Sequence, residues 1–473
     1  MKKTKEHLSY MLYALSIGLF VSVLWAVPVV AAQCDYYASP TGGGDGLSPS
    51  TPFRVSDFWA VAAPGKTLCL LDGEYTGGNS MIIPGRLKGT SGMPITIRAL
   101  NDGGATINGQ NINNTVYLRG NDYFTIEGIN AHNSISSVFD VGISNNVIIR
   151  RACGWDAADL NTNIFSVLGR SAYSLFEDCA GWGICRKVYQ LFGGADYVTL
   201  RRCWGRWEGS HVVGPKETYT LAYNNRHALF ENCIGTWSGE RMKETYYLGD
   251  YYGGYWLVNG KPVKYNNYEV AQPYAIFGMD EITDDYSMDK NLNSSMLGCL
   301  AYTLPTDRFN SANVMMFLTK VDSVNLADLV AVRPQDGTVK PFYFSSLNGG
   351  HATNLHASRL TSIGGNNDDY FDPDWVKTNV VHAASIAALG SSPYDGSQGA
   401  NLCYRYVNGV LTNKPLWPWP MNERIKNAMI QSGRTPVDVT QTVESLLGPI
   451  SVKCISPATP PSQPNTPLNL RVH

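Results

Sequence analysis

One phrase recurs through this chain and limits what it can become: VTLRRCWGRWEG at residues 198 to 209 and ALFENCIGTWSG at 228 to 239. Aligned on their cysteines and followed in both directions, the phrases extend to eight equivalent positions: Ile129, Ala152, Cys179, Cys203, Cys233, Cys299, Leu329 and Leu360. Three residues before each of these rungs stands an apolar residue (Ile126, Ile149, Phe176, Leu200, Phe230, Met296, Leu326, Ala357). Two residues after it stands a small one (Ala131, Gly154, Gly181, Gly205, Gly235, Ala301, Ala331, Ser362). Immediately before the rung, Gly128, Asp178, Asn232, Gly298 and Asp328 tolerate a left-handed backbone, and Arg151, Arg202 and Arg359 break that rule. The pattern describes a bend between two short strands.

The rungs are separated by 23, 27, 24, 30, 66, 30 and 31 residues. Short alternating strands at such a period imply stacked coils, none able to bury its inner face alone. Leucine-rich repeats lack their consensus here, and the Gly, Asn and β-branched content speaks against helical repeats. We therefore expect an all-β fold, a right-handed parallel β-helix whose coils stack about 4.8 Å apart.

Around this ladder the chain divides readily. A basic start, MKKTKEH, and an apolar run from Leu8 to Val30 closing on small residues read as a secretory signal peptide over residues 1–32, the alternative being an uncleaved anchor, for which the run is long enough. Residues 33–375 form the β-helix with its N-terminal capping helix, in which Ser56 would cap a helix through Ala62. Residues 376–455 read as a C-terminal cap: NERIKNAMIQSG gives a helix ended by Gly433, and VDVTQTVESLLG a second with Asp438 and Gln441 as a capping box. The ladder is expected to stop after Leu360 and the cap to cover the last coil. A Pro-rich tail occupies 456–473.

Export permits disulfides. Cys34 with Cys69, and Cys403 with Cys454, are the candidate bridges, whereas the rung cysteines alternate with Ile, Ala and Leu and read as interior thiols. The spacing suggests no zinc site. A formal net charge of -2 points to neither nucleic acid nor an acidic membrane surface.

Three segments, YYASPTGGGDGLSPSTPF (37–53), APGKTLCLLDGEYTG (63–77) and GMPITIRALNDGGATINGQ (92–110), resemble the opening of secreted right-handed parallel β-helix proteins, notably polysaccharide lyases acting on pectate, alginate or chondroitin. The resemblance implies the fold and a polysaccharide partner; with the signal peptide we expect a secreted, periplasmic or cell-surface protein, and a monomer. It transfers no catalytic residue, because no lyase site motif is matched position by position.

Chemistry is therefore expected in the excursions after each rung, 154–163, 181–190, 205–219 and 235–247, which should share one wall. β-Elimination on a uronic-acid polymer needs a base, a cation for the growing carboxylate charge and a donor for the leaving oxygen. Lys187 or Lys216 is the candidate base, Arg186 or Arg241 the carboxylate holder, and Trp155, Trp182, Trp207, Trp237, Glu208, His211 and Glu240 the substrate contacts. A glycoside hydrolase would instead pair Asp156 with Asp159, or Glu208 with Glu240. A non-catalytic surface or carbohydrate-binding protein stays open as a third class. The 66-residue step reads as one coil plus a tyrosine-rich insertion over the same wall, or a β-hairpin packed beside it. Asp368, Asp369, Asp372 and Asp374 are candidate calcium ligands.

Overall fold

A computed structural model describes residues 34–158, 161–210, 217–237, 257–258, 261–262, 275–280, 291–304, 314–319, 321–333, 340–345, 354–364, 369–389, 395–450 and 454. The coils contribute two short strands joined by the predicted bend, or in the last ones a single longer strand through it such as Asn325–Val332 and Leu355–Ile363, to one 20-stranded sheet, and further strands to a nine-stranded sheet; both stack their coils in parallel. The chain is a parallel β-helix.

The registers reproduce the ladder position by position. Ile126, Ile149, Phe176, Leu200, Phe230, Met296, Leu326 and Ala357 pair in succession. So do Ala131, Gly154, Gly181, Gly205, Gly235, Ala301, Ala331 and Ser362. The coils on either side of the 66-residue step are direct neighbours, so that step is one coil with an insertion. Within the insertion Leu257–Val258 and Lys261–Pro262 pair as an antiparallel hairpin.

The +2 position is small for a reason the structure makes concrete. A Cβ on Gly154, Gly181 or Gly205 would come within 2.6, 2.7 and 2.6 Å of Ile164 Cγ2, Val188 Cγ1 and Thr218 Cγ2 on the second sheet. The interior is only wide enough for one side chain there. Beside this constriction the second sheet stacks Phe139, Phe165, Tyr189, Tyr219 and Phe277 inward at centroid spacings of 4.7, 4.8, 4.7 and 4.5 Å. The thiols of Cys179, Cys203, Cys233 and Cys299 are buried and reach the carbonyls of Ile149, Phe176, Leu200 and Phe230 on the preceding coil. Burial pushes the Cys179 and Cys233 thiols up.

Four expectations need correction. The bend arginines do not break the left-handed rule: φ is 52° at Arg151, 50° at Arg202 and 54° at Arg359. The ladder does not stop at Leu360, because Trp375–Ala383 adds another strand with Val380 beside Leu360. The N-terminal helix is Val55–Phe58 with Arg54, not Ser56, at its N-cap, where Asp57 accepts from the Arg54 amide.

The fourth concerns the C-terminal region. Its helices form as expected, Asn422–Gln431 and Val439–Leu447, and Asp438 accepts from the Gln441 amide. They lie along the outer face of the large sheet instead of across the last coil. Gln431 bonds Thr106 and Asn130, Arg424 bonds Asn130 and the Arg151 carbonyl, and Tyr406 bonds Asn232. Trp417, Trp419, Met421, Ile425, Met429, Val439 and Val443 form a second core with Cys153, Trp155, Ala180, Trp182 and Trp204. Cys403 is bridged to Cys454, and Cys34 and Cys69 are both disulfide-bonded. Among the described residues no helix is long and apolar enough to cross a membrane.

Candidate functional site

The predicted wall is divided between two environments. Trp155 and Trp182 follow the +2 residue by one, so they point outward from the large sheet and are buried under the C-terminal helices, with Trp182 Nε1 donating to Ser432. Trp207 and Trp237 fall one residue further on, turn inward and belong to the main core, where Trp207 Nε1 donates to the Cys185 carbonyl. None of the four is a sugar platform. The strands run on through Ile184, Gly209 and Trp237 instead of leaving the sheet at the small residue.

Asp156 and Glu208 are likewise committed. Arg434 from the C-terminal segment spans them, Nη2 to Asp156 at 2.6 Å and Nε to Glu208 at 2.9 Å, and Arg206 holds the other Glu208 oxygen. Asp156 and Glu208, one from each expected hydrolase pair, thus share one guanidinium and anchor the C-terminal segment. Asp159, His211, Lys216, Glu240 and Arg241 lie outside the described residues.

Lys187 is placed differently. In the second sheet, Ser166, Gln190 and Thr220 alternate with inward residues and so form an outward row that begins at Tyr117 and Asp140. A second outward row runs Asn163, Lys187, Glu217. The rows are bonded to each other: Asn163 Nδ2 donates to Gln190 at 2.6 Å and contacts Ser166, and the Thr220 hydroxyl donates to Glu217. A Cβ at Gly278, in the next coil, would collide with the Glu217 carboxylate.

This polar face is buried, with Lys187 and Glu217 at 1% and 0% exposure and Nζ 4.0 Å from Oε2. Asn163, 3% exposed, has an Oδ1 that accepts no hydrogen bond among the described residues. Toward the first coils, Asp140 pairs with Arg119 at 2.8 Å; burial raises the Asp140 carboxyl above its ordinary range against the opposing guanidinium. Arg186, the residue before Lys187, donates to Asn161 at 2.6 Å on the surface. Among the described residues the carboxylates of this face, Asp140 and Glu217, are three strand spacings apart, about 14 Å, against the roughly 5 to 10 Å that a hydrolase uses.

The calcium candidates do not converge. Asp369 accepts from the Phe342 amide and the Ser362 hydroxyl, Asp372 from the Tyr370 hydroxyl, and Asp374 is exposed; Asp368 is outside the described residues. Among the described residues no three His, Cys, Asp or Glu side chains gather to hold a metal. Asp369 and Asp372 face protein donors.

The tie between Asn163 and Gln190 had no signal in the sequence. It needs the offset between the two sheets, which varies from coil to coil.

No family model matches the chain, and no curated protein matches it in sequence. Among solved structures it is similar to the pectate lyase Pel9A, at 12% identity and TM-score 0.41 over 78% of this chain and 82% of that one. A rhamnogalacturonan lyase gives 12% and 0.43 over 87% and 98%. PfbA, a surface adhesin of Streptococcus pneumoniae, gives 13% and 0.40 over 73% and 88%. Likenesses at this level transfer no activity.

Proposed function

We propose that the protein is an exported polysaccharide lyase that cleaves a uronic-acid-containing polymer by β-elimination over the outward face of the second sheet. The observation behind this reading is the buried Lys187–Glu217 pair on that face. An outward sheet position can hold a solvated or an apolar residue cheaply, whereas a buried ion pair costs several kcal/mol per ion before attraction and hydrogen bonds offset it. Ionisable groups kept in such a place are candidates for chemistry.

In this reading Lys187 is the base and Glu217, 4.0 Å from its Nζ, is its proton partner. The Lys187 amine takes the proton beside the substrate carboxylate. The electrons of the broken C–H bond form the new double bond as the glycosidic C–O bond breaks, and the leaving oxygen takes a proton from the ammonium or from water. Arg186, steadied by Asn161, is the cation nearest in sequence for the substrate carboxylate. Asn163 Oδ1, which accepts no hydrogen bond among the described residues, offers a hydroxyl of the sugar a buried partner.

The test is incubation of the purified protein with a panel of uronic-acid polymers, with and without calcium, following ultraviolet absorbance of the unsaturated product. Lys187→Met should lower kcat by about 10²-fold or more with little change in KM. Reducing ends without absorbance would refute elimination in favour of hydrolysis, and binding without either would make the protein a binder.

A further inference from the structure

The outward rows continue past the polar pair and change character. After Thr220 and Gly278 the first row becomes Phe317, Tyr343 and Tyr370, and after Glu217 the second becomes Ala275, Val314 and Lys340. The three rings stack at 5.3 and 4.6 Å, and Lys340 Nζ lies 5.5 Å from the Tyr343 centroid. Tyr370 is 39% exposed and sits on the last strand of the described second sheet, so no further strand continues the stack over its far side. Its hydroxyl donates to Asp372, which fixes the ring.

The inward face of the same sheet also stacks aromatic residues, and there the reason is plain, since they fill the core. Outward the hydrophobic gain from stacking is incomplete, and a cation beside the rings adds nothing to the core. Rings with a neighbouring ammonium suit a pyranose that carries a carboxylate: its apolar C–H face covers the aromatic carbon and the ammonium meets the acid. Lys340 lies three strand spacings from Glu217, about 14 Å along the axis. That reach belongs to an oligosaccharide, not to one sugar.

We infer that Phe317, Tyr343, Tyr370 and Lys340 form a distal subsite for an acidic sugar residue of the chain being cleaved, so that the polymer runs along the coil axis. This rests on the reading of the Lys187 face as the reactive site.

Tyr370→Ala, at an exposed ring, and Lys340→Ala, at a half-buried lysine, are compared with wild type on size-defined oligouronates, measuring affinity by calorimetry and turnover by product absorbance. A Tyr173→Ala variant, in an exposed ring stacked on Tyr197 outside the second sheet, is the control. Each test variant should weaken binding of long oligomers roughly tenfold and leave the shortest cleaved oligomer unchanged in affinity and kcat, with the control unchanged. Unchanged affinity of both variants for long oligomers, or equal losses on long and short ones, overturns the subsite while wild-type cleavage leaves the reactive site standing. Absence of wild-type binding and turnover on every uronate overturns the reading of the Lys187 face, and the subsite with it.

Discussion

Gly205 offers the sharpest test of why the coil interior has its shape. It has no left-handed φ, so its backbone would accept alanine; the obstacle is steric. A Cβ there lies 2.6 Å from Thr218 Cγ2 and 3.3 and 3.4 Å from ring carbons of Tyr189 and Tyr219, all in a close-packed core. Overpacking by one methyl costs about 1–3 kcal/mol, and the lower chain entropy of unfolded alanine returns about 0.4–1. Gly205→Ala should therefore destabilise by about 1–2 kcal/mol. Thr218→Ser removes the opposing methyl but keeps the hydroxyl that donates to the Thr236 carbonyl at 2.8 Å, and alone should cost about 1 kcal/mol. The double variant places one methyl where another was, so it should recover about 1–2 kcal/mol relative to the sum of the single changes. Urea unfolding of the four proteins, with the slope unchanged, measures this coupling. Additivity within about 0.5 kcal/mol would refute the account of the small residues as a width constraint.

Two further outcomes follow from the ion pairs. Arg434→Ala leaves Asp156 and the buried Glu208 without their shared guanidinium and should cost about 3–5 kcal/mol, while Arg434→Lys, which cannot span both carboxylates, should recover only part; urea midpoints and limited proteolysis of the C-terminal segment report both. Glu177 is partly buried, which raises its carboxyl pKa, but Arg202 and Arg201 together outweigh that and hold it below the ordinary 4.5. A depressed folded value means the stabilisation is present above 4.5 and is lost as pH falls through the folded value, so Glu177→Gln should be less stable than wild type near neutral pH and converge with it in acid. A stability gap that persists unchanged into acid would show that the charge is not what matters there.

The ladder was legible in the sequence because its positions −3, −1, 0 and +2 lie within one rigid bend, where spacing cannot drift. The second sheet was not. From the small residue to its opposing side chain the chain takes 10 residues between Gly154 and Ile164, 7 between Gly181 and Val188, 13 between Gly205 and Thr218 and 41 between Gly235 and Ile276. Variable offsets erase the aromatic stack from any fixed period, and with it the polar rows on the opposite face. Lys187 was singled out in the sequence for its side-chain type, but its placement beside Glu217 could not be read there. The tryptophans were misread for a related reason: Trp155 and Trp182 look like loop residues only until a segment 250 or more residues later comes back to cover them. No local pattern announces that return.

Two of the three bend arginines, Arg202 and Arg359, show how a rule read as a preference for residue type can be a rule about pairs; Arg151 follows Gly128 and bonds Asp102 instead. A bulky residue in the left-handed region costs on the order of 1–3 kcal/mol, which glycine avoids. Arg202 sits one coil after Asp178, at the same place in the bend, and bonds it twice, at 2.7 and 2.9 Å; Arg359 bonds Asp328 in the same way, at 2.6 Å twice. Because equivalent bend positions lie one strand spacing apart, an acid on one rung presents its carboxylate to whatever occupies the next, and a forked guanidinium matches it. Asp178 also tolerates the left-handed backbone itself, at φ 54°, as does Asp328 at 57°. The acid is therefore a good bend residue in its own right, and the arginine is offset by it. For these two arginines the aspartate precedes by one coil, and that order, Asp178 before Arg202 and Asp328 before Arg359, is visible in the sequence once the period is known.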